Sequence, residues 1–141
     1  MDLITTAMTA AEVEAAAKRL MSAFAATDTD GYFDCFAPDA TFIFHSEPNR
    51  LTSRGEYRDL WQNWVEDGWR VAACASSNAH IQIAGDGAVF SHDVETVIDV
   101  AGTKETLHER ETIIFTRTKS GSVLAVHEHL SPAPASQKAI S

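Results

Sequence analysis

An α+β fold, with three N-terminal helices packed on a curved and mostly antiparallel sheet, is the architecture this sequence predicts. Three observations carry it. Apolar residues recur at helical spacing through three capped segments before Gly68 and at strand spacing from Trp69 onward. Turn residues at Gly85-Asp86-Gly87, Ala101-Gly102-Thr103 and Lys119-Ser120-Gly121-Ser122 cut that second half into consecutive hairpins. Helices come first and hairpins after, which favours helices collected on one face of a bent sheet over an alternating α/β core. A single sheet curled over helices leaves a cone-shaped hollow at its open end.

The elements follow in order. Thr9 is an N-cap with Glu12 at the capping-box position, and Val13, Ala16, Ala17, Leu20, Met21 and Phe24 give a first helix to about Ala26. Asp28-Thr29-Asp30-Gly31 breaks it and caps a short second helix through Tyr32, Phe33, Cys35 and Phe36, stopped by Pro38. Ala40 to His45 is aromatic and β-branched, a strand with Phe42 and Phe44 on one face. After the turn-rich Ser46 to Arg50, Ser53 and Glu56 start a third helix with an aromatic stripe of Tyr57, Trp61 and Trp64, ended by Gly68. Strands are then expected over Trp69 to Ile83, Ala88 to Val100, Glu105 to Thr118 and Val123 to Ser131. Residues 1–8 read as an N-terminal extension, 9–131 as one domain and 132–141 as a flexible tail.

With 141 residues, one domain buries about two-thirds of the surface its unfolded chain exposes, so neither disulfides nor metals are needed to hold it. Cys35 and Cys74 lack metal spacing and read as small buried or half-buried residues. The formal charge of −9 opposes phosphate backbones and anionic lipid, which removes nucleic acid and membrane surfaces as expected partners. No apolar run reaches membrane-span length, and Met1 to Thr6 shows no basic region followed by an apolar one, so a cytoplasmic protein is expected. Phosphate-cradling glycine loops, a Gly-x-Ser-x-Gly elbow and a Cys-x-x-Cys pair are all missing, against nucleotide hydrolysis, serine hydrolysis and thioredoxin-like chemistry.

The lead-in Pro38-Asp39-Ala40-Thr41, the helix from Gly55 to Trp61 and the closing His127-Glu128-His129-Leu130-Ser131, in this order of elements, resemble the nuclear-transport-factor-2-like (NTF2-like) superfamily. Within it the chain is most similar to SnoaL-like and ketosteroid-isomerase-like small proteins, over roughly Thr9 to Ser131. The resemblance implies a cone-shaped α+β barrel, a pocket between helices and concave sheet, and a homodimer through the outer sheet face. Steroid isomerases of that superfamily use a Tyr on the first helix, an Asp base on the first strand and a protonated Asp in the sheet. The first two positions fall near Leu20 and at Phe44 here. An apolar side chain accepts no proton, so steroid isomerisation by that route is not expected.

Candidate chemistry centres on His127 and His129, which share a face of the last strand with Val123, Ala125 and Ser131 if its alternation is regular. Turned inward, two imidazoles would carry protons or anchor a ligand, and His92, on the alternation Ala88-Phe90-His92-Val94, would support them. The plain alternative is neutral histidines hydrogen-bonded in a polar pocket. Arg110 is read as sharing the pocket face with Thr112 and Ile114, either on a ligand anion or in a rim salt bridge. Glu109 and Glu111, with Ile113 and Phe115, are then expected on the solvent or dimer face. Tyr57, Trp61, Phe44, Phe42 and Tyr32 are read as pocket walls.

The expectation is a protein that binds a small, largely apolar organic molecule, and isomerises, cyclises or dehydrates it without a cofactor if it is an enzyme. His129, His127 and His92 would be the catalytic groups, with no metal. Two alternatives stay open. One is an association or ligand-sensing module, dimeric through Val89, Val97, Ile113, Phe115, Leu124 and Val126; the other is a histidine-ligated zinc hydrolase.

Overall fold

The computed structural model describes residues 7–134. Helix α1 spans Ala10–Ala25, α2 Thr29–Phe33 and α3 Arg54–Glu66; strand β1 spans Phe36–Phe44, β2 Trp69–Ala84, β3 Gly87–Val100, β4 Thr103–Arg117 and β5 Val123–Pro132. The caps read from sequence are made. Thr9 and Glu12 form a reciprocal capping box on α1, Asp28 Oδ1 accepts from Gly31 N–H on α2, and Ser53 Oγ accepts from Glu56 N–H on α3. Gly68 has φ +93° and its carbonyl accepts from Ala101 N–H, a left-handed conformation that stops α3 and ties it to the far hairpin turn.

The strands form one sheet in the order β1-β5-β4-β3-β2. Successive strands from β2 to β5 pair antiparallel, while β1 lies parallel to β5. The expected barrel is not closed: β1 and β2 are the two edges of an open sheet, and the hollow is completed by helices. α1 lies against β2, β3 and β5, and α3 against β1 and β2, so the helices span the gap that strand pairing leaves.

Two local details depart from the sequence reading. β1 begins at Phe36, four residues ahead of the expected start, and contains Pro38. An edge strand tolerates proline because only one side must donate to a ladder, and the β1–β5 register shifts between Phe36 and Thr41 at that point. The second departure lies in β5. Ile114 pairs with His127 but Phe115 pairs with Ala125, which leaves Val126 as an extra residue in β5. Such a bulge reverses the facing of the residues beyond it relative to a regular strand.

The apex of the cone is aromatic. Tyr32, Phe33, Phe36, Phe42 and Trp61 are all buried; Tyr32 stacks on Trp61 at 4.9 Å between ring centres and Phe36 meets Phe42 edge-on at 5.1 Å. Trp61 Nε1 donates to Thr29 Oγ1 at 2.9 Å, which satisfies its buried N–H. At the other end of the chain, Met8 is buried with its N–H bonded to Gly85 O, and Ala133 N–H bonds His108 O, so the packed unit begins just ahead of Thr9 and runs past Ser131. The remainder of the expected extension and tail, residues 1–6 and 135–141, lies outside the described residues.

Phe42 sits where β1, β5 and the aromatic apex meet, with no exposed surface. Phe42→Ala is expected to lower stability by about 3–5 kcal/mol, whereas Val100→Ala at the exposed hairpin end costs about 0.5 kcal/mol or less, measured by urea unfolding.

Candidate functional site

The inward face of the sheet is set by alternation, strand by strand. On β4, Leu107, Glu109, Glu111, Ile113 and Phe115 point in; on β3, Phe90, His92, Val94 and Thr96 do; on β5 beyond the bulge, Glu128 and Leu130 do. Phe90, Ile113 and Phe115 close against the aromatic apex. Toward the wide end the rows diverge from the helices and leave a cavity of about 420 Å³, walled by Leu20, Met21 and Phe24 of α1, Tyr57 and Trp64 of α3, Trp69 of β2 and Phe44 of β1. This size suits a small organic molecule.

The polar part of this apolar cavity is a buried chain of hydrogen bonds. Tyr57 and Tyr32 hydroxyls meet at 2.9 Å. The Glu128 carboxyl lies beside the Tyr32 hydroxyl and pairs with that of Glu111. His92 Nε2 donates to Glu111 Oε1 at 2.6 Å, and His92 Nδ1 lies 2.5 Å from Ser76 Oγ at the surface. The cross-strand registers Glu111↔Leu130, Ile113↔Glu128 and His92↔Glu111 bring these side chains from three neighbouring strands into one patch. Glu128 Oε1 is buried without a hydrogen-bond partner. In a wall this well satisfied, an unpartnered carboxyl oxygen marks the point where the hydrogen-bond network is incomplete.

Two carboxyl groups this close cannot both be ionised in an apolar wall. Burial, and then the charge on Glu111, pushes the Glu128 carboxyl well above the ordinary carboxylate range. Burial acts the same way on Glu111, but hydrogen bonds from Glu128 and His92 outweigh it and hold Glu111 low. Glu128 therefore carries the proton and Glu111 the charge. The Tyr32 and Tyr57 hydroxyls are raised by burial first and then by Glu128, so both stay neutral donors. Nearer the mouth, His45 Nε2 and Glu109 Oε2 lie 2.5 Å apart; burial raises Glu109, and the His45 bond partly offsets it.

His92 lies inward at 3% exposure, where the alternation of its strand put it. His127 and His129 do not join it. The Val126 bulge turns both to the convex face, where their rings are 6.3 Å apart and His127 Nδ1 bonds Thr41 Oγ1 at 2.8 Å. Partial burial, then the neighbouring His129, pushes the His127 imidazole below its ordinary range. The three histidines lie on opposite sides of the sheet and do not converge, and among the described residues no three His, Cys, Asp or Glu side chains are grouped to hold a metal ion.

β4 is likewise reversed from the expected facing. Arg110 is exposed on the convex face, in register with Asp93 and Ser131, while Glu109, Glu111, Ile113 and Phe115 are buried. Ile113 and Phe115 thus drop out of the expected apolar outer patch. Tyr57, Tyr32 and Phe44 line the cavity; Phe42 and Trp61 are fully buried outside its lining, and Phe24, Trp64 and Trp69 take the wall positions instead.

Sequence reasoning missed Glu111 and Glu128. The available signal was the company they keep. Leu107, Ile113 and Phe115 alternate with Glu109 and Glu111, and Leu124, Val126 and Leu130 with Glu128; these are the more apolar faces of their strands.

Comparison with known proteins agrees with this architecture. The SnoaL-like domain family matches residues 13–136. No curated protein matches the sequence. Among solved structures, the chain is similar to an NTF2-like protein of unknown function in nutrient uptake from Rhodospirillum rubrum, at 22% identity and TM-score 0.75, covering 86% of this chain and 98% of that one. A ketosteroid isomerase-like protein from Erwinia carotovora aligns at 18% identity and TM-score 0.72, covering 88% and 96%. ActVI-ORFA from Streptomyces coelicolor aligns at 15% identity and TM-score 0.70, covering 86% and 95%. At such identities these likenesses speak to fold alone. With the family match spanning nearly all of the described cone, the chain belongs to the SnoaL-like domain family, and its fold is that of the NTF2-like structures.

Proposed function

We propose that this protein binds a small, largely apolar carbonyl compound in the cone cavity and moves a proton on it by cofactor-free acid/base chemistry. Proton abstraction beside a carbonyl is the step that isomerisations, cyclisations and many dehydrations share. The observation that carries the reading is the Glu111–Glu128 pair, buried in the cavity wall beside the apolar side chains of the helices, with Glu128 Oε1 unpartnered. A pair whose surroundings drive two carboxyl affinities apart supplies an acid and a base side by side.

In this reading the Glu128 carboxyl takes the proton from the substrate carbon while the proton already on it passes to Glu111. The C–H bond and the O–H bond already on Glu128 break, one new O–H bond forms at each carboxyl, and the electron pair left on carbon becomes an enolate. Tyr32 donates to Tyr57, and the Tyr57 hydroxyl donates to the developing oxyanion. His92 holds Glu111 in place and makes its charge tolerable, a positioning role for the one of the three expected catalytic histidines that faces inward. The cavity contributes by excluding water, which strengthens each of these interactions. The convex-face pair His127 and His129 has no part in this step, and a dimer through that face is compatible with it.

Hydrogen–deuterium exchange at the α-carbon of 2-tetralone, followed by NMR in D2O, measures this step directly. Wild type should accelerate exchange, and Glu111→Gln and Glu128→Gln should each lower the rate about 10²- to 10⁴-fold. If 2-tetralone binds and exchanges no faster than in buffer, the proposal fails. The second prediction concerns stability. A raised Glu128 pKa means the folded chain keeps a proton the unfolded chain releases, so stability is complete below the ordinary glutamate range and falls as pH rises through the folded value. Glu128→Gln removes that fall: its melting temperature relative to wild type should be higher at about pH 9 than at about pH 5.

A further inference from the structure

The charge of the cavity wall is one-sided. Among the described residues lining it there are five carboxyl side chains, one histidine and no lysine or arginine. Three of the five, Glu105, Glu109 and Glu111, occupy alternate inward positions of β4 with Leu107 between them, so they form a track descending from the exposed rim to the buried floor. Glu128 extends the track on the neighbouring strand: it lines the same cavity, is 3% exposed, and its Oε1 is buried with no partner. The histidine, His45, is already bonded to Glu109.

We infer that the ligand is an organic cation: a protonated amine carried on an aromatic or polycyclic body, its ammonium held by Glu109 among the rings of Trp64 and Trp69. The inference rests on the proton-transfer reading for the placement of the apolar part and narrows it to one substrate class. Glu109, Glu111 and Glu128 have given up hydration, and among the described residues His45 and His92 are the only basic side chains bonded to them. A cation entering here replaces lost water with direct ion pairing, and the acidic cleft concentrates cations at its mouth. The aromatic walls add attraction of the same sign, because a ring face is electron-rich. An anion of the same shape meets repulsion from every ionised acid and finds no guanidinium or ammonium to answer it. Seating the ammonium at Glu109 leaves Glu128, in register with Ile113 two inward rows deeper, free for the proton it accepts.

The test is isothermal titration calorimetry of the full-length protein at pH 7 with three probes of one shape: 2-(aminomethyl)naphthalene, 2-naphthalenemethanol and 2-naphthoate. The amine should bind at least tenfold more tightly than the alcohol, and the carboxylate should give no measurable heat. The amine's advantage should fall to within threefold in Glu109→Gln. Because a buried substitution can disturb folding, circular dichroism accompanies it. Glu105→Gln at the exposed rim serves as the second variant, with a smaller loss of amine preference and none of alcohol binding. Equal affinity for amine and alcohol, or tighter binding of the carboxylate, overturns the inference and leaves the proton-transfer reading standing. Failure of all three probes to bind overturns both.

Discussion

Everything that meets the cavity from the last strand is decided by the extra residue at Val126. Without that bulge, the alternation of β5 would carry Ala125, His127 and His129 to the same side, and Glu128 would stand on the convex surface with water to solvate it. With it, Ala125 and Glu128 both face inward and the imidazoles face out. A bulge costs local ladder pairing. It is placed here between Ala125, which packs under the aromatic apex, and Glu128, which begins the polar wall.

A carboxyl group delivered into such a wall is expensive, and the structure shows how the expense is limited. Only one of the Glu111–Glu128 pair is charged; the charged member is bonded by its neighbour and by His92, and His92 is bonded in turn by Ser76 at the surface. Replacing such a group by a hydrocarbon would generally be neutral or favourable for stability. Its presence beside a cavity is therefore better explained by what the cavity does than by what holds the fold together. The aromatic apex does the latter, and it would do so with or without the acids.

The open sheet has its own consequence. Because β1 and β2 do not pair, the space between the two sheet edges is filled by α1 and α3, and the cavity wall is helix on one side and strand on the other. The helices bring hydrocarbon and rings, Met21, Phe24 and Trp64, while the strands bring the acids. That division is what allows one hollow to hold an apolar body against one side and present proton-carrying groups from the other.

The order of elements, the three capped helices, the hairpin turns and the aromatic apex were legible in the amino-acid sequence alone, because capping, turn chemistry and periodicity are local and each is written within a few residues. His92 and Tyr57 were also placed by their own alternation or helical stripe. The facing of β4 and β5 was not legible. A strand's two faces are distinguished only by the partner it packs on, and a single inserted residue, invisible in composition, exchanges them. Tertiary structure alone decided that Glu111, Glu128 and Tyr32, far apart in the chain, share one hydrogen-bonded wall, because cross-strand register and helix docking, and no local propensity, set which side chains meet.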